Sequence, residues 1–114
     1  MLAALLAASA LAVTLTLPHA PRAGEAAFLD VTLGVIPRGA EIGITTPSGH
    51  SLGTISPYGI RSGEEAGSYS LPVPADAIHG KRLPLLLTLT YEDEQRTPTK
   101  REVKRVRLVL KRAK

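Results

Sequence analysis

Apolar and polar positions alternate with a period of two along most of the chain after residue 28. This alternation is typical of β-strands that turn one face to a core. The longest series also has an apolar residue, Leu86, on its second face, which favours a central position in a sheet. The apolar members of the four clearest series are Leu29, Val31, Leu33 and Val35; Ile42 and Ile44; Tyr69, Leu71 and Val73; and Leu83, Leu85, Leu87, Leu89 and Tyr91.

Turn-forming residues separate these strands at intervals of about ten residues, a spacing typical of all-β domains. The chain of 114 residues holds 10 Gly and 9 Pro. Residues 51–56 follow a Pro-Ser-Gly turn and are expected to pair back in a hairpin, with Gly53 at a bulge or at a close approach of the backbone. Pro72 and Pro74 predict an edge strand, because each removes a backbone donor.

The count is six strands, or seven if residues 58–62 also pair. We therefore expect an all-β fold, a small antiparallel β-sandwich of immunoglobulin-like type, over residues 24–114. A small barrel is the alternative architecture.

The last segment alternates as well. Val106, Leu108 and Leu110 fall on one face, and Arg105, Arg107 and Lys111 fall on the other. Val103 is out of step by one residue, which a bulge near Lys104 would absorb. A helix over residues 102–112 fits part of this spacing, but the valines and the unbroken alternation favour a strand.

The N-terminus carries an uncharged apolar run over residues 2–17, which Pro18 ends. As a helix it would be roughly 24 Å long, shorter than the ~30 Å hydrocarbon core of a bilayer. It predicts an N-terminal export helix, with residues 1–23 as a signal peptide cut after Ala23 or Ala26. An uncleaved membrane anchor and a buried helix of the domain are the alternatives. The protein is expected to be periplasmic or secreted, or anchored by the uncleaved helix.

Two short motifs resemble those of exported β-sandwich modules. The sequence EIGITTPSGH at residues 41–50 resembles a hairpin of the proprotein-convertase P domain, and GSYSL at residues 67–71 resembles a strand start of immunoglobulin-like and transthyretin-like domains. The resemblance implies a fold class and no activity. The Cys–Trp–Cys core of antibody-type domains and the loop motifs of chagasin-type protease inhibitors are missing from this sequence.

Charge is divided unevenly along the chain. Residues 24–95 hold four basic and nine acidic residues, a balance of −5, whereas residues 96–114 hold nine basic residues and one acid, a balance of +8. A basic strand of this kind could attract anionic polysaccharide, anionic lipid or an acidic protein. The candidate polyanion-binding residues are Lys100, Arg101, Lys104, Arg105, Arg107, Lys111 and Arg112.

A plainer interpretation is that these cations protect a sheet edge from aggregation or pair with acids of the chain. Nucleic acid is not expected as a partner. The chain has three Tyr, one Phe and no Trp to stack on bases, and its N-terminus is typical of export.

The irregular stretch over residues 57–67 offers a second contact surface. Tyr58, Ile60 and Arg61 lie close together in sequence, and Tyr and Arg are favoured anchors of protein interfaces. The alternative is that Tyr58 and Ile60 fold back and cap the sandwich.

No catalytic, cofactor or metal site is predicted. The chain has no Cys, and His50 and His79 show no ligand spacing. The acids at residues 92–94 lack the spacing of a calcium loop. Ser48, His50 and Asp30 are the residue types of a hydrolytic triad, but Ser and His two apart in one turn do not fit its geometry.

The expected function is therefore that of an exported, non-catalytic module. It would mediate protein–protein interaction or assembly in the cell envelope, with another envelope or extracellular protein as partner. The alternative is a binder of anionic polysaccharide or lipid that uses the basic C-terminal strand.

Overall fold

A computed structural model of the chain describes residues 10–57, 61 and 63–112. Within them lie eight strands and a single 3-10 turn at Ala75–Ala77. The strands are β1 (Leu11–Thr16), β2 (Glu25–Leu33), β3 (Glu41–Thr45), β4 (Ser51–Ile55), β5 (Gly67–Val73), β6 (Arg82–Tyr91), β7 (Glu94–Arg96) and β8 (Val103–Arg112).

The strands form two antiparallel sheets in a sandwich-like, all-β arrangement. The first sheet has the order β1-β6-β3-β4, with β7 paired to the far end of β6, and the second has the order β5-β2-β8. The chain passes from one sheet to the other between β1 and β2, β2 and β3, β4 and β5, β5 and β6, and β7 and β8. Both β5 and β8 are edge strands, and β6 is central.

An aliphatic core lies between the sheets. Leu29, Val31 and Leu33 face it from β2, and Ile42 and Ile44 face it from β3, each with no exposed surface. The inward series of β6 is also fully buried, at Leu83, Leu85, Leu87 and Leu89. The period-two alternation therefore predicted the core of these strands correctly, because each pleat sends successive side chains to opposite faces.

Local irregularities also fall where the sequence predicted them. Lys104 is the extra residue between two aligned pairs, Leu33–Val103 and Thr32–Arg105, so the bulge is confirmed. The register of β3 and β4 shifts beside Gly53, and β5 carries Pro72 at the edge of its sheet.

Two apolar residues break the predicted alternation. Val35 is 45% exposed and Tyr91 is 36% exposed, because β2 ends at Leu33 and Tyr91 is the last residue of β6. The polar turn predicted after β6 holds one more short strand, β7. A two-residue turn at Glu92 and Asp93, both with positive φ, joins them, and tight hairpins require this backbone conformation.

The expected N-terminal helix is wrong over residues 11–16. These residues form β1, which pairs with β6 from Leu11–Leu87 to Thr16–Arg82. The physical reason is that Leu11, Val13 and Leu15 alternate with Ala12, Thr14 and Thr16, and the inward set packs against the core. No helix in the described part of the chain has the length and hydropathy needed to span a membrane.

Candidate functional site

Strand β8 places three cations in a row on the outer surface of the three-stranded sheet. Arg105, Arg107 and Lys111 are exposed, whereas Val106 and Leu108 between them are partly buried against the core. Residues two apart on one face lie about 6.7 Å apart along a strand, so the row from Arg105 to Lys111 extends about 20 Å. We call this surface, with the outward residues of β2 and β5 beside it, the basic face.

The neighbouring strands add hydroxyl groups to the basic face. Thr32 lies opposite Arg105 on β8 and opposite Ser68 on β5, and the Thr32 and Ser68 hydroxyl oxygens are 3.0 Å apart. In the next row, Asp30 lies between Arg107 and Ser70. This face therefore combines cations with hydroxyl donors and acceptors at regular spacing.

An apolar row crosses the same face nearer the end of β8. Phe28 lies between Pro72 and Val109, and the Lys111 ammonium nitrogen is 4.9 Å from the centroid of the Phe28 ring. A cation over the face of an aromatic ring is attracted to it electrostatically. This contact orients Lys111 across the sheet while leaving its residue exposed.

A compact turn carries two further cations into β8. Glu102 accepts a hydrogen bond from the Thr99 backbone N–H at 2.9 Å, and the Glu102 N–H donates to the Thr99 hydroxyl at 3.3 Å. This reciprocal pair has the form of a capping box. It holds Lys100 and Arg101, both exposed, at the tip of the turn.

Arg96 closes the turn from the other side. Its guanidinium donates to both carboxylate oxygens of Glu102, at 2.7 and 2.6 Å. This bond holds the pKa of Glu102 below its ordinary value, against the opposing effect of burial, and holds the pKa of Arg96 above its own. Glu102 is only 8% exposed, and the Arg96 guanidinium neutralises its charge locally.

A cleft of about 620 Å³ adjoins this turn. It is lined by Val35, Glu65, Thr99, Lys100, Arg101, Glu102 and Lys104. Lys104 donates to Glu65 across it at 2.7 Å. This contact is of the kind that the plainer interpretation expects, because a cation of the basic segment pairs with an acid elsewhere in the chain.

Most of the predicted polyanion-binding residues keep their charge free. Lys104 is the one that forms an ion pair. Within the described ranges, the other six residues make no ion pair with the protein. They include Arg107, although it lies opposite Asp30 on β2. The six are Lys100, Arg101, Arg105, Arg107, Lys111 and Arg112. Unpaired cations on one surface raise its potential for an external anion.

The predicted protein-contact loop is only partly described. Tyr58 and Ile60 lie outside the described residues. Arg61 is exposed, and its backbone N–H donates to the Glu64 carboxylate at 3.1 Å. The backbone N–H of Glu64 donates in turn to the Arg61 carbonyl at 3.0 Å.

A pocket that sequence reasoning missed is lined by both His50 and His79. The pocket, about 250 Å³, is lined by Thr46, Ser48, His50, Leu52, Pro74, Asp76, Ala77 and His79. Its two sides come from the β3–β4 turn and the segment between β5 and β6, which are far apart in sequence. Of the residues described, no group of three or more His, Asp and Glu is placed to hold a metal ion.

The residue types of a triad do not meet at this pocket. The Ser48 hydroxyl is 2.9 Å from the Thr46 hydroxyl, and Asp30 lies in the middle of β2 on the basic face.

Comparisons of the chain with protein-family models, curated proteins and solved structures find no match. The surface geometry is therefore the ground on which a function is proposed.

Proposed function

We propose that this protein is a non-catalytic binding module, immunoglobulin-like in its broad architecture, that holds anionic polysaccharide on the basic face. The observation that carries the proposal is the row of unpaired cations on β8, exposed on one surface of a single sheet. Paired or scattered cations would favour the plainer interpretation of a protected sheet edge.

The shape of the basic face favours an extended polymer over a single small anion. The row on β8 is about 20 Å long, so it can meet several charges along an extended chain. Lys100 and Arg101 continue the positive charge beyond the start of the strand.

The composition of the face favours polysaccharide over a lipid surface. Thr32, Ser68 and Ser70 offer hydroxyl groups beside Arg105 and Arg107, and sugar hydroxyls both donate and accept hydrogen bonds. An element that inserts into a membrane would also present a broad apolar face. Here Phe28 is half-buried and covered by Lys111.

The test compares two double variants that change net charge equally. R105Q/R107Q alters the basic face, and K81Q/R82Q alters two exposed cations at the start of β6 in the other sheet. Immobilised heparin and polygalacturonate are the probes, with neutral dextran as a blank and phosphatidylglycerol vesicles as the lipid arm.

We expect R105Q/R107Q to lose on the order of tenfold in affinity, about 1.4 kcal/mol, and K81Q/R82Q to lose less than twofold. Equal losses would show a net-charge effect and would contradict a defined site. Binding to vesicles alone would assign the face to lipid and would also contradict the proposal.

A second candidate is a protein partner in the cell envelope, docked through Tyr58, Ile60 and Arg61. The exposed position of Arg61, held by its backbone bonds to Glu64, favours it. We expect the wild type to capture the same envelope protein at both low and high salt, and Arg61→Ala to capture none. The reason is that a docked interface depends less on ionic strength than a charged face does.

Export is proposed on the composition of residues 2–17. Recovery of the protein from the envelope or the medium of an expressing bacterium is the expected result, and recovery from the cytosol alone would contradict it.

A further inference from the structure

The second part of the apolar run, residues 11–17, is built into the first sheet, and residues 11–16 form its paired strand β1. All six residues of β1 are aligned with β6, from Leu11–Leu87 to Thr16–Arg82. The next residue, Leu17, is 2% exposed, and its backbone N–H donates to the Lys81 carbonyl at 2.8 Å. The pairing thus continues to the end of the apolar run.

Strand β1 covers an edge of β6 that no other described strand covers. On one side, β6 pairs with β3 along Leu86–Thr90. On the other side, β7 pairs only with Leu89–Tyr91, and β1 takes the six residues from Arg82 to Leu87. Removal of β1 would leave this edge with unpaired backbone groups and would uncover the fully buried side chains of Leu83 and Leu85.

Both cleavage positions suggested by the sequence would take β1 away. A cut after Ala23 falls in the turn between β1 and β2 and removes Leu17 from the core. A cut after Ala26 falls inside β2, where Ala26 is paired with Lys111, and would also shorten the central strand of the second sheet.

We propose that the folded protein retains residues 11–17 and that the Arg82–Leu87 edge of β6 is a strand-acceptor site whose occupant is this segment of the same chain. If the apolar run first directs export, it does so without being removed and then pairs as β1. This inference stands on the pairing and burial of β1 and does not depend on what the basic face binds.

Engineered cysteines test the pairing in the full chain. Ala12 and Leu86 lie directly opposite each other on the outer face of the first sheet, a separation that a disulfide can bridge. Since the chain has no Cys of its own, any disulfide in A12C/L86C comes from this pair. The control is A12C/T54C, with Thr54 on β4, three strand spacings or about 14 Å away.

We expect A12C/L86C to form an intramolecular disulfide and to run as a monomer on a non-reducing gel. Its intact mass should include residues 11–17 and should lie 2 Da below that of the reduced form, because two hydrogens are lost. A12C/T54C should stay reduced or form only random dimers. A disulfide-linked dimer of A12C/L86C would show that the strand comes from another molecule, and no disulfide would show that β1 is unpaired. Both results would overturn the proposal.

Hydrogen exchange on the unmodified chain gives a second measurement that needs no variant. The hydrogen-bonded amides among residues 11–17 should be protected to an extent similar to those of β3. Rapid exchange of these amides would overturn the proposal. So would a folded product whose mass corresponds to a chain that begins at Gly24 or Ala27.

Discussion

Glu102 and Arg96 form a bidentate ion pair, in which the two terminal guanidinium nitrogens donate to separate carboxylate oxygens at 2.7 and 2.6 Å. The same carboxylate also accepts the Thr99 N–H at 2.9 Å. The Glu102 side chain thus links the turn at residues 99–102 to β7. The backbone carbonyl of Glu102 accepts a hydrogen bond from the Gly34 N–H at 2.9 Å. Glu102 sets where the basic strand begins.

Replacing Glu102 with Gln should destabilise the fold by about 1–2 kcal/mol at pH 7. One hydrogen bond from Arg96 then has a neutral acceptor and is weaker, and the other is lost because an amide nitrogen cannot accept it. The partial exposure of Arg96, 45% at its side chain, limits the loss. Urea denaturation gives the free energy of unfolding. Glu65→Gln is the control, because its ion pair with Lys104 is exposed on both sides, and its effect should stay within about 0.5 kcal/mol.

The Glu102 contribution should also depend on pH. Its native pKa lies below the ordinary value of 4.5, so the charged form is favoured by folding. The stabilisation is fully present above about pH 4.5 and is lost as pH falls through the lowered native pKa. The difference in unfolding free energy between wild type and Glu102→Gln should therefore shrink between pH 5 and pH 3. A constant difference across that range would contradict the ion-pair explanation.

Gly34 should not tolerate a side chain. A Cβ at this position would lie 2.1 Å from the Arg101 carbonyl oxygen, and a backbone oxygen in a hydrogen-bonded turn cannot move aside. Gly34→Ala should lower the free energy of unfolding by about 3 kcal/mol, the upper part of the range for overpacking.

Gly43→Ala is the comparison for that change, because its nearest neighbour would be the Thr88 carbonyl oxygen at 3.9 Å. It should shift stability by less than about 1 kcal/mol. Similar losses in the two variants would mean that the close approach at Gly34 does not exist.

Leu17 should behave as a core residue. It is 2% exposed, so Leu17→Ala should destabilise the fold by about 2–5 kcal/mol, the cost of a cavity left by a buried leucine. Thr14→Ala, on the exposed face of β1, should cost less than about 0.5 kcal/mol. If Leu17→Ala leaves the thermal unfolding midpoint unchanged, the segment is not part of the folded domain.

Strands with a clear period of two could be predicted from the sequence. The structure of residues 11–17 could not, because their sequence is compatible with both a strand and a helix. Residues 11–17 alternate, but they also belong to an uncharged run that suits an apolar helix. The outcome depends on the open edge of β6, which a local pattern does not reveal. Strand β7 was missed because its three residues are all exposed and therefore show no alternation.

The site divides in the same way. The row of Arg105, Arg107 and Lys111 followed from alternation on β8 alone. Its neighbours Thr32, Ser68 and Ser70 depend on which strands flank β2, which is a matter of long-range pairing. The pocket lined by His50, Asp76 and His79 likewise depends on long-range packing, because its two sides are separate segments of the chain.

The proposed binding of anionic polysaccharide depends on a defined row of cations on β8. The most direct measurement is calorimetric titration of the wild type, R105Q/R107Q and K81Q/R82Q with heparin over a series of NaCl concentrations. We expect wild type and K81Q/R82Q to bind with similar affinity that falls steeply as salt screens the charges, and R105Q/R107Q to bind more weakly with a shallower salt dependence. Affinity that is independent of salt, or the same in all three proteins, would rule out binding at this row of cations.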